Sequence, residues 1–267
     1  MKKDNTVFKR YEIKFLVSKE QKNMLEDIFM EKMVPDEYGK SSICNLYYDT
    51  PTYRLIRKSL EKPAYKEKMR LRSYGTVKDD GKVFLELKKK YKGVVYKRRI
   101  GLRYDEAMAY LSGESPLPKD SQISREIDYF KSYYESLKPK AFISYDRTAY
   151  FDKNDDSFRV TFDENIRYRE KDMSLTIAPY GRELIDPDTA LMEVKTAGAI
   201  PLWLVDILTK EGIRQTSFSK YGRAYADMLK HNPDLIEQAA KMTYFENIIR
   251  NNILPYQSRS EKHMSAM

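Results

Sequence analysis

The chain has 267 residues, 41% apolar and 13% aromatic, enough to bury a core as one large domain or two small ones. Its formal net charge of +9 calls for an anionic partner: nucleic acid, a membrane surface or phosphorylated small molecules. One cysteine, Cys44, excludes a disulfide framework and a cysteine-based metal site, and the two histidines, His231 and His263, stand apart from any ligand-like cluster.

The N-terminal MKKDNTVFKRYE has no apolar core like that of a secretory signal, and no apolar run approaches the ~18 residues of a membrane span, so a soluble cytoplasmic protein is expected. Segment 6–17 alternates as a strand, with Tyr11, Ile13, Phe15 and Val17 on one face and Arg10, Glu12, Lys14 and Leu16 on the other. Ser18 opens SKEQ, a capping box, and predicts a helix to about Met33. Strand 41–49 ends at Thr50-Pro51, and a short amphipathic stretch, TYRLIRKSL, follows. Three strand-like runs come next, at 65–74, 82–91 and 93–102, with Asp79-Asp80-Gly81 and Lys92-Gly93 as turns. Helical spacing covers 104–137 around an SGESPLP loop, then strands return at 140–151, 157–169 and 190–196. Segments 201–212 and 217–231 read as helices, the second beginning either at its start or after Gly222, and SRSEKHMSAM reads as a frayed tail. The pattern predicts an α+β domain built on antiparallel pairs.

The strand faces carry the functional argument. In YKEKMRLRSYG, Lys66, Lys68, Arg70 and Arg72 alternate with Glu67, Met69 and Leu71. Such a row repels itself unless water screens it or an anion fills the space before it. Glu86 and Lys88 oppose Val83, Leu85 and Leu87; Arg159, Thr161 and Asp163 oppose Phe158, Val160 and Phe162; Glu193 and Lys195 oppose Met192 and Val194. A sheet with one solvated face gives the same pattern on any single strand. Three Glu-x-Lys pairs, Glu12/Lys14, Glu86/Lys88 and Glu193/Lys195, and enough helices to cover an apolar outer surface favour a barrel with an ionic lumen. That lumen needs a polyanion.

The segments RYEIKFLV, MRLRSYG, FLELKKK, SYDRTAY, RVTFDENIR, LMEVKTAG and SFSKYGRAY, in this order over about residues 7–230, resemble the VTC (vacuolar transporter chaperone) catalytic domain. That domain is the polyphosphate polymerase branch of the triphosphate tunnel metalloenzymes, relatives of the CYTH phosphatases. The resemblance implies an eight-stranded antiparallel β-barrel with a basic lumen and helices packed outside, over residues 1–235, with 236–267 as a helical extension and tail. It implies an ATP-polyphosphate phosphotransferase that uses Mn²⁺ or Mg²⁺. Expected ligands are ATP, inorganic polyphosphate, triphosphate and pyrophosphate, with no nucleic acid. The charged N-terminal regulatory domain and membrane helices of eukaryotic members have no counterpart here, so membrane association would need a separate protein partner.

Arg70 and Arg72 are the foremost phosphate ligands, because guanidinium forks two residues apart aim into one cavity. By resemblance, Lys14, Lys88, Arg147, Arg159 and Lys220 also grip phosphates, and Arg70, Arg72, Lys88 and Lys220 act on the transferring group. Arg147 shares its parity with Ile143 and Tyr145, so a bulge or an early strand end is expected. The resemblance places the metal-binding glutamate at Glu193, whose competing role is a salt bridge to Lys195; Glu12 and Glu86 are secondary metal candidates. Lys66 and Lys68 are expected at the tunnel mouth or in water. The CYTH pattern Glu-x-Glu-x-Lys becomes Arg10-x-Glu12-x-Lys14, which favours a polymerase over a hydrolase. The competing readings are a tripolyphosphatase or nucleoside triphosphatase and a non-catalytic polyphosphate- or nucleotide-binding module. A nucleic-acid binder fits least, because the aromatics share the apolar faces.

Overall fold

The computed structural model describes residues 11–92, 94–155, 157–238 and 240–241. Arg10, Gly93, Asp156, His263 and nearly all of the expected extension over 236–267 lie outside them. The chain divides into two compact units, Met1–Ala224 and Tyr225–Met267.

Chain order in the first unit is β1 (Tyr11–Ser18), α1 (Lys19–Lys32), β2 (Met33–Pro35), β3 (Ser41–Asp49), α2 (Arg54–Leu60), β4 (Tyr65–Tyr74), β5 (Lys82–Tyr91) and β6 (Val94–Arg103). Then come α3 (Tyr104–Ser112), α4 (Gln122–Tyr134), β7 (Lys138–Asp152), β8 (Arg159–Arg169), β9 (Arg182–Glu183), β10 (Thr189–Thr196), α5 (Leu202–Lys210) and β11 (Gln215–Thr216). Helix α6 (Lys220–His231) begins there and runs into the second unit, so Lys220 opens the helix rather than preceding it. In the second unit His231 meets Asp227 at 3.6 Å and Lys241 meets Glu237 at 2.5 Å, both one helical turn apart. No described helix is long and apolar enough to cross a membrane.

All strand pairs are antiparallel, in the order β11-β1-β10-β8-β7-β3-β4-β5-β6, with β2 on β7 and β9 on β8. The expected closed eight-stranded barrel is therefore corrected in two respects. Among the described residues the sheet has eleven strands, three of them only two or three residues long, and β6 and β11, at the two ends of the path, do not pair with each other. The sheet nevertheless curls, because Lys88 of β5 reaches Glu12 of β1 at 3.2 Å. Long charged side chains span that seam, where backbone hydrogen bonds would need strands ~4.8 Å apart.

Strand parity sets the two faces. Cys44, Leu46, Met69, Leu71, Val83, Leu85, Leu87 and Phe142 turn outward into one core with Ala107 and Tyr110 of α3 and Ile127 and Phe130 of α4. Phe15, Val17, Val160, Phe162, Met192 and Val194 turn into a second core with Leu25 and Phe29 of α1 and Leu204 and Leu208 of α5. The capping box at Ser18 forms as the sequence predicts, Ser18 Oγ accepting from Gln21 N and Gln21 Oε1 accepting from Ser18 N. Asp49, fully buried, accepts from the backbone N–H groups of Leu55 and Ile56 and from the Tyr221 hydroxyl, tying β3, α2 and α6 at the lumen's edge.

Phe29 is the centre of the second core, 5.4 Å from the ring of Tyr150 and 5.8 Å from those of Phe162 and Trp203. Phe29→Ala should lower unfolding free energy by about 3–5 kcal/mol with an unchanged urea m-value. A loss below about 1 kcal/mol would show that this face is not the core.

Candidate functional site

The inner face of the sheet is built around carboxylates enclosed by cations. Glu86, at the middle of β5, is only 1% exposed. Arg70 stands directly opposite on β4 and donates from Nε at 2.8 Å, with NH2 at 2.7 Å. Arg72 Nε lies 3.7 Å away. From β6, Lys97 Nζ approaches to 2.6 Å and Arg99 Nε to 3.5 Å. Burial pushes the Glu86 carboxyl up, but Arg70, Arg72 and Lys97 overrule it and hold it well below the usual range.

The two arginines are oriented by neutral partners. Arg72 donates to Asn45 Oδ1 at 2.9 Å and to the Tyr145 hydroxyl at 3.2 Å, while Asn45 donates in turn to the Ile143 carbonyl at 2.9 Å. Arg70 donates to the Tyr47 hydroxyl at 3.0 Å, and the Tyr47 ring stacks on Tyr221 with centroids 4.8 Å apart. Such second contacts remove rotamer freedom before any ligand arrives.

A second hub lies across the lumen. Arg147 holds Asp163 with both arms, at 2.6 and 2.7 Å, and extends to Glu193 at 3.4 Å. Lys220 bonds Asp163 and reaches Glu193 at 3.4 Å. Glu193 also meets Lys14 and Lys195, each at 3.3 Å. Burial raises both carboxyls, but the cations outweigh it, lowering Asp163 and holding Glu193 well below the usual carboxylate range. Burial lowers Lys220, and Asp163 and Glu193 more than restore it, so it stays charged. Tyr145 joins the hubs, with Lys220 Nζ 4.4 Å and Arg147 Cζ 5.2 Å from its ring centre.

Glu12 links the second hub to the seam, 3.2 Å from both Lys14 and Lys88. Segment 218–220 packs into the same seam: the Phe218 carbonyl accepts from Lys14 at 2.9 Å and the Ser219 hydroxyl from Lys68 at 3.0 Å. Lys68 has no carboxylate within ion-pair distance among the described residues. Burial, then Lys88, Lys66, Lys14 and Arg70, depress its pKa to about 7. Burial likewise takes Lys195 to about 8 against the pull of Glu193.

The structure thus brings Lys14, Arg70, Arg72, Lys88, Arg147, Lys220, Glu12, Glu86 and Glu193 to one inner face. Arg159 shares that face opposite Lys195, yet bonds Asp36 at 3.3 Å and lies over the Phe151 ring at 4.5 Å, at the periphery of the hubs. Arg147 needs no bulge in its own strand: Tyr145 faces inward with it, its hydroxyl accepting from Arg72. The register does slip between Ser144 and Asp146, but the extra residue is on β8, where Asn165 has φ +50°. Asp163, Lys97 and Arg99 were not among the expected site residues. Asp163 was legible by parity with Arg159; Lys97 and Arg99 were masked because Arg98, between them, pairs outward with Glu126 at 3.1 Å.

The residues fit a divalent ion only in part. Among the described residues no group of three acids, cysteines or histidines converges on one point. Glu86 is enclosed by four cations and Glu12 is shared by two. Glu193 is likewise met by four cations, Lys14, Arg147, Lys195 and Lys220, but it has a further neighbour. Thr161 stands opposite it on β8, fully buried, with a hydroxyl that has no hydrogen-bond partner among the described residues. A carboxylate and an orphaned hydroxyl suit a hydrated hard cation that carries phosphate with it.

The VTC domain model matches residues 9–229. No curated protein matches the chain. Among solved structures, a candidate adenylyl cyclase from Hippeastrum with a dominant triphosphatase activity is 17% identical, over 80% of this chain and 94% of its own, at a TM-score of 0.50. A candidate adenylate cyclase from Bacillus halodurans is 16% identical, over 79% of this chain and 96% of its own, at 0.49. The Hippeastrum likeness extends to the fold: an antiparallel sheet with helices.

Removing one partner of a buried ion network leaves the others uncompensated. Glu86→Ala should therefore cost about 3–5 kcal/mol in urea unfolding at low ionic strength, and added salt should recover part of that loss by screening the four cations. A loss that salt does not change would mean that packing, not charge, is what Glu86 supplies.

Proposed function

The chain belongs to the VTC domain family, and on that premise we propose that its lumen binds linear phosphate chains and transfers the terminal phosphoryl of ATP to a growing inorganic polyphosphate. The observation that carries this reading is charge. Lys14, Lys68, Arg70, Arg72, Lys88, Lys97, Arg99, Arg147, Lys195 and Lys220 surround four carboxylates, Glu12, Glu86, Asp163 and Glu193. Phosphoryl transfer asks for this: neutralisation of oxygens and alignment, with little covalent chemistry from protein.

In the proposed reaction a terminal phosphate oxygen of the chain forms a bond to the γ-phosphorus of ATP. The bond from that phosphorus to the β–γ bridging oxygen breaks, and ADP leaves. The attacking oxygen already carries negative charge, so no general base is required, and none of the inner-face residues is a histidine. Arg70 and Arg72 present pre-oriented forks to equatorial oxygens; Lys88 and Lys220 offset the charge on the attacking and leaving sides. Glu193 and the Thr161 hydroxyl would hold a Mg²⁺ or Mn²⁺ that, when bound, neutralises phosphate charge. Lys14, Arg147 and Arg159 would position the flanking phosphates.

A second reading is tripolyphosphate or nucleoside triphosphate hydrolysis, the activity named for the Hippeastrum protein. Hydrolysis needs a carboxylate free to orient water. Both oxygens of Glu193 and both of Asp163 face cations, which favours transfer.

Purified protein with ATP and Mn²⁺ should yield long chains on a gel stained for polyphosphate, with ADP in matching amount. Free phosphate in place of chains would instead establish the hydrolase.

The lysine shifts give a pH signature. With pKa values of about 7 and 8, Lys68 and Lys195 are partly deprotonated in the free lumen near neutral pH. An adjacent phosphate favours their charged form, so binding takes up protons, and affinity is greatest below pH 7 and falls as pH rises through 7–8. Calorimetry of triphosphate binding at pH 7.5, in buffers of different ionisation enthalpy, should show more proton uptake by the parent than by Lys68→Gln. Equal uptake would remove Lys68 from the phosphate site.

A further inference from the structure

The inner-face cations of β4 continue past the hubs. Lys68 stands opposite Lys88, and Lys88 in turn opposite Lys97. One step further out, Lys66 stands directly opposite Lys90. Like charges placed opposite each other on neighbouring strands destabilise a sheet. Among the described residues no carboxylate offsets this pair: Lys66 donates to the Ser59 carbonyl, at 3.4 Å, and no described carboxylate lies within ion-pair distance of Lys66 or Lys90. The nearest acid on the strand, Glu67, points to the other face and is held by the hydroxyls of Tyr65 and Tyr134 at 2.6 and 2.7 Å. Burial, and then the neighbouring Lys90, Lys62 and Lys88, depress the pKa of Lys66.

We infer that Lys66 and Lys90 form an outer rung that holds the distal phosphates of a linear oligophosphate longer than a triphosphate, so that chains enter or leave the lumen by this mouth. The inference rests on the reading of the lumen as a phosphate-chain site and extends it to chain length. From Arg72 to Lys66 the strand advances six residues, ~20 Å of cationic track at ~3.3 Å per residue. That is more track than the two bridging links of a triphosphate can follow. The rung is not a platform for nucleic acid: the nearby Tyr65 and Tyr91 have the opposite parity and stand on the other face of the strands, where they cannot stack bases beside it.

The test uses the full chain, its Lys66→Ala/Lys90→Ala double variant, and a control double variant, Lys78→Ala/Lys138→Ala, which removes two exposed lysines elsewhere. Affinities are measured for tripolyphosphate, long-chain polyphosphate and a single-stranded oligonucleotide. The outer-rung variant should bind tripolyphosphate within twofold of the parent and long-chain polyphosphate at least tenfold more weakly. Its salt dependence for long chains should be shallower by about 1.4 in slope, at ~0.7 for each cation lost. The control should behave as the parent, and thermal unfolding should confirm that all three fold. Equal losses for short and long chains, no loss for either, or a matching loss in the control would overturn the outer rung. So would an oligonucleotide that the parent binds as tightly as polyphosphate and that the variant loses equally. A parent that binds no tripolyphosphate would overturn the lumen reading itself.

Discussion

Buried charge is affordable only when opposite charge comes with it, and this constraint organises the molecule. Glu86, Asp163 and Glu193 are each almost inaccessible to water, and each is met by several guanidinium or ammonium groups. Alone, any one would be driven to protonate; surrounded, all three are held ionised. The carboxylates act as resident counterions. With Glu12 they hold nine cations together, and Lys68 adds a tenth that has no carboxylate of its own among the described residues; the acids are too few to neutralise them, and the surplus is an unsatisfied demand for anion.

The surplus also accounts for the architecture around it. Strand parity sends one side chain inward for each it sends outward, so a sheet with an ionic inner face has an apolar outer face that needs cover. Helices α3 and α4 bury one side of that face and α1 and α5 another. Strands β1 and β5, each next to an end of the path, are joined by side chains, Lys88 to Glu12, instead of backbone hydrogen bonds. A contact made of salt bridges can be exchanged for contacts to phosphate; a β-ladder could not.

Most of this was legible because alternation is a strict code. The parities of Lys14, Arg70, Arg72, Lys88 and Glu193 each pointed inward, and β3 to β6 fell within a residue or so of their expected bounds. Four things escaped. Strands of two or three residues, β2, β9 and β11, are too short to alternate. On β6, Lys97, Arg98 and Arg99 put cations on both faces, so sequence could not say which the lumen takes. Arg147 shares its parity with Ile143 and Tyr145, which suggested a bulge or an early strand end; the Tyr145 hydroxyl, accepting from Arg72, belongs to the ionic network, so neither is needed to turn Arg147 inward. Closure of the sheet is a matter of long-range pairing, which no local pattern encodes.

The lumen's cations are proposed to be arranged for a phosphate chain and not for one another. A crystal structure with tripolyphosphate bound tests it most directly. Phosphate oxygens should lie within hydrogen-bond distance of Arg70, Arg72 and Lys88, with Glu86 still salt-bridged behind them and the contact between Lys88 and Glu12 loosened in favour of phosphate. Tripolyphosphate bound only on the outer surface, with every inner salt bridge intact, would contradict it.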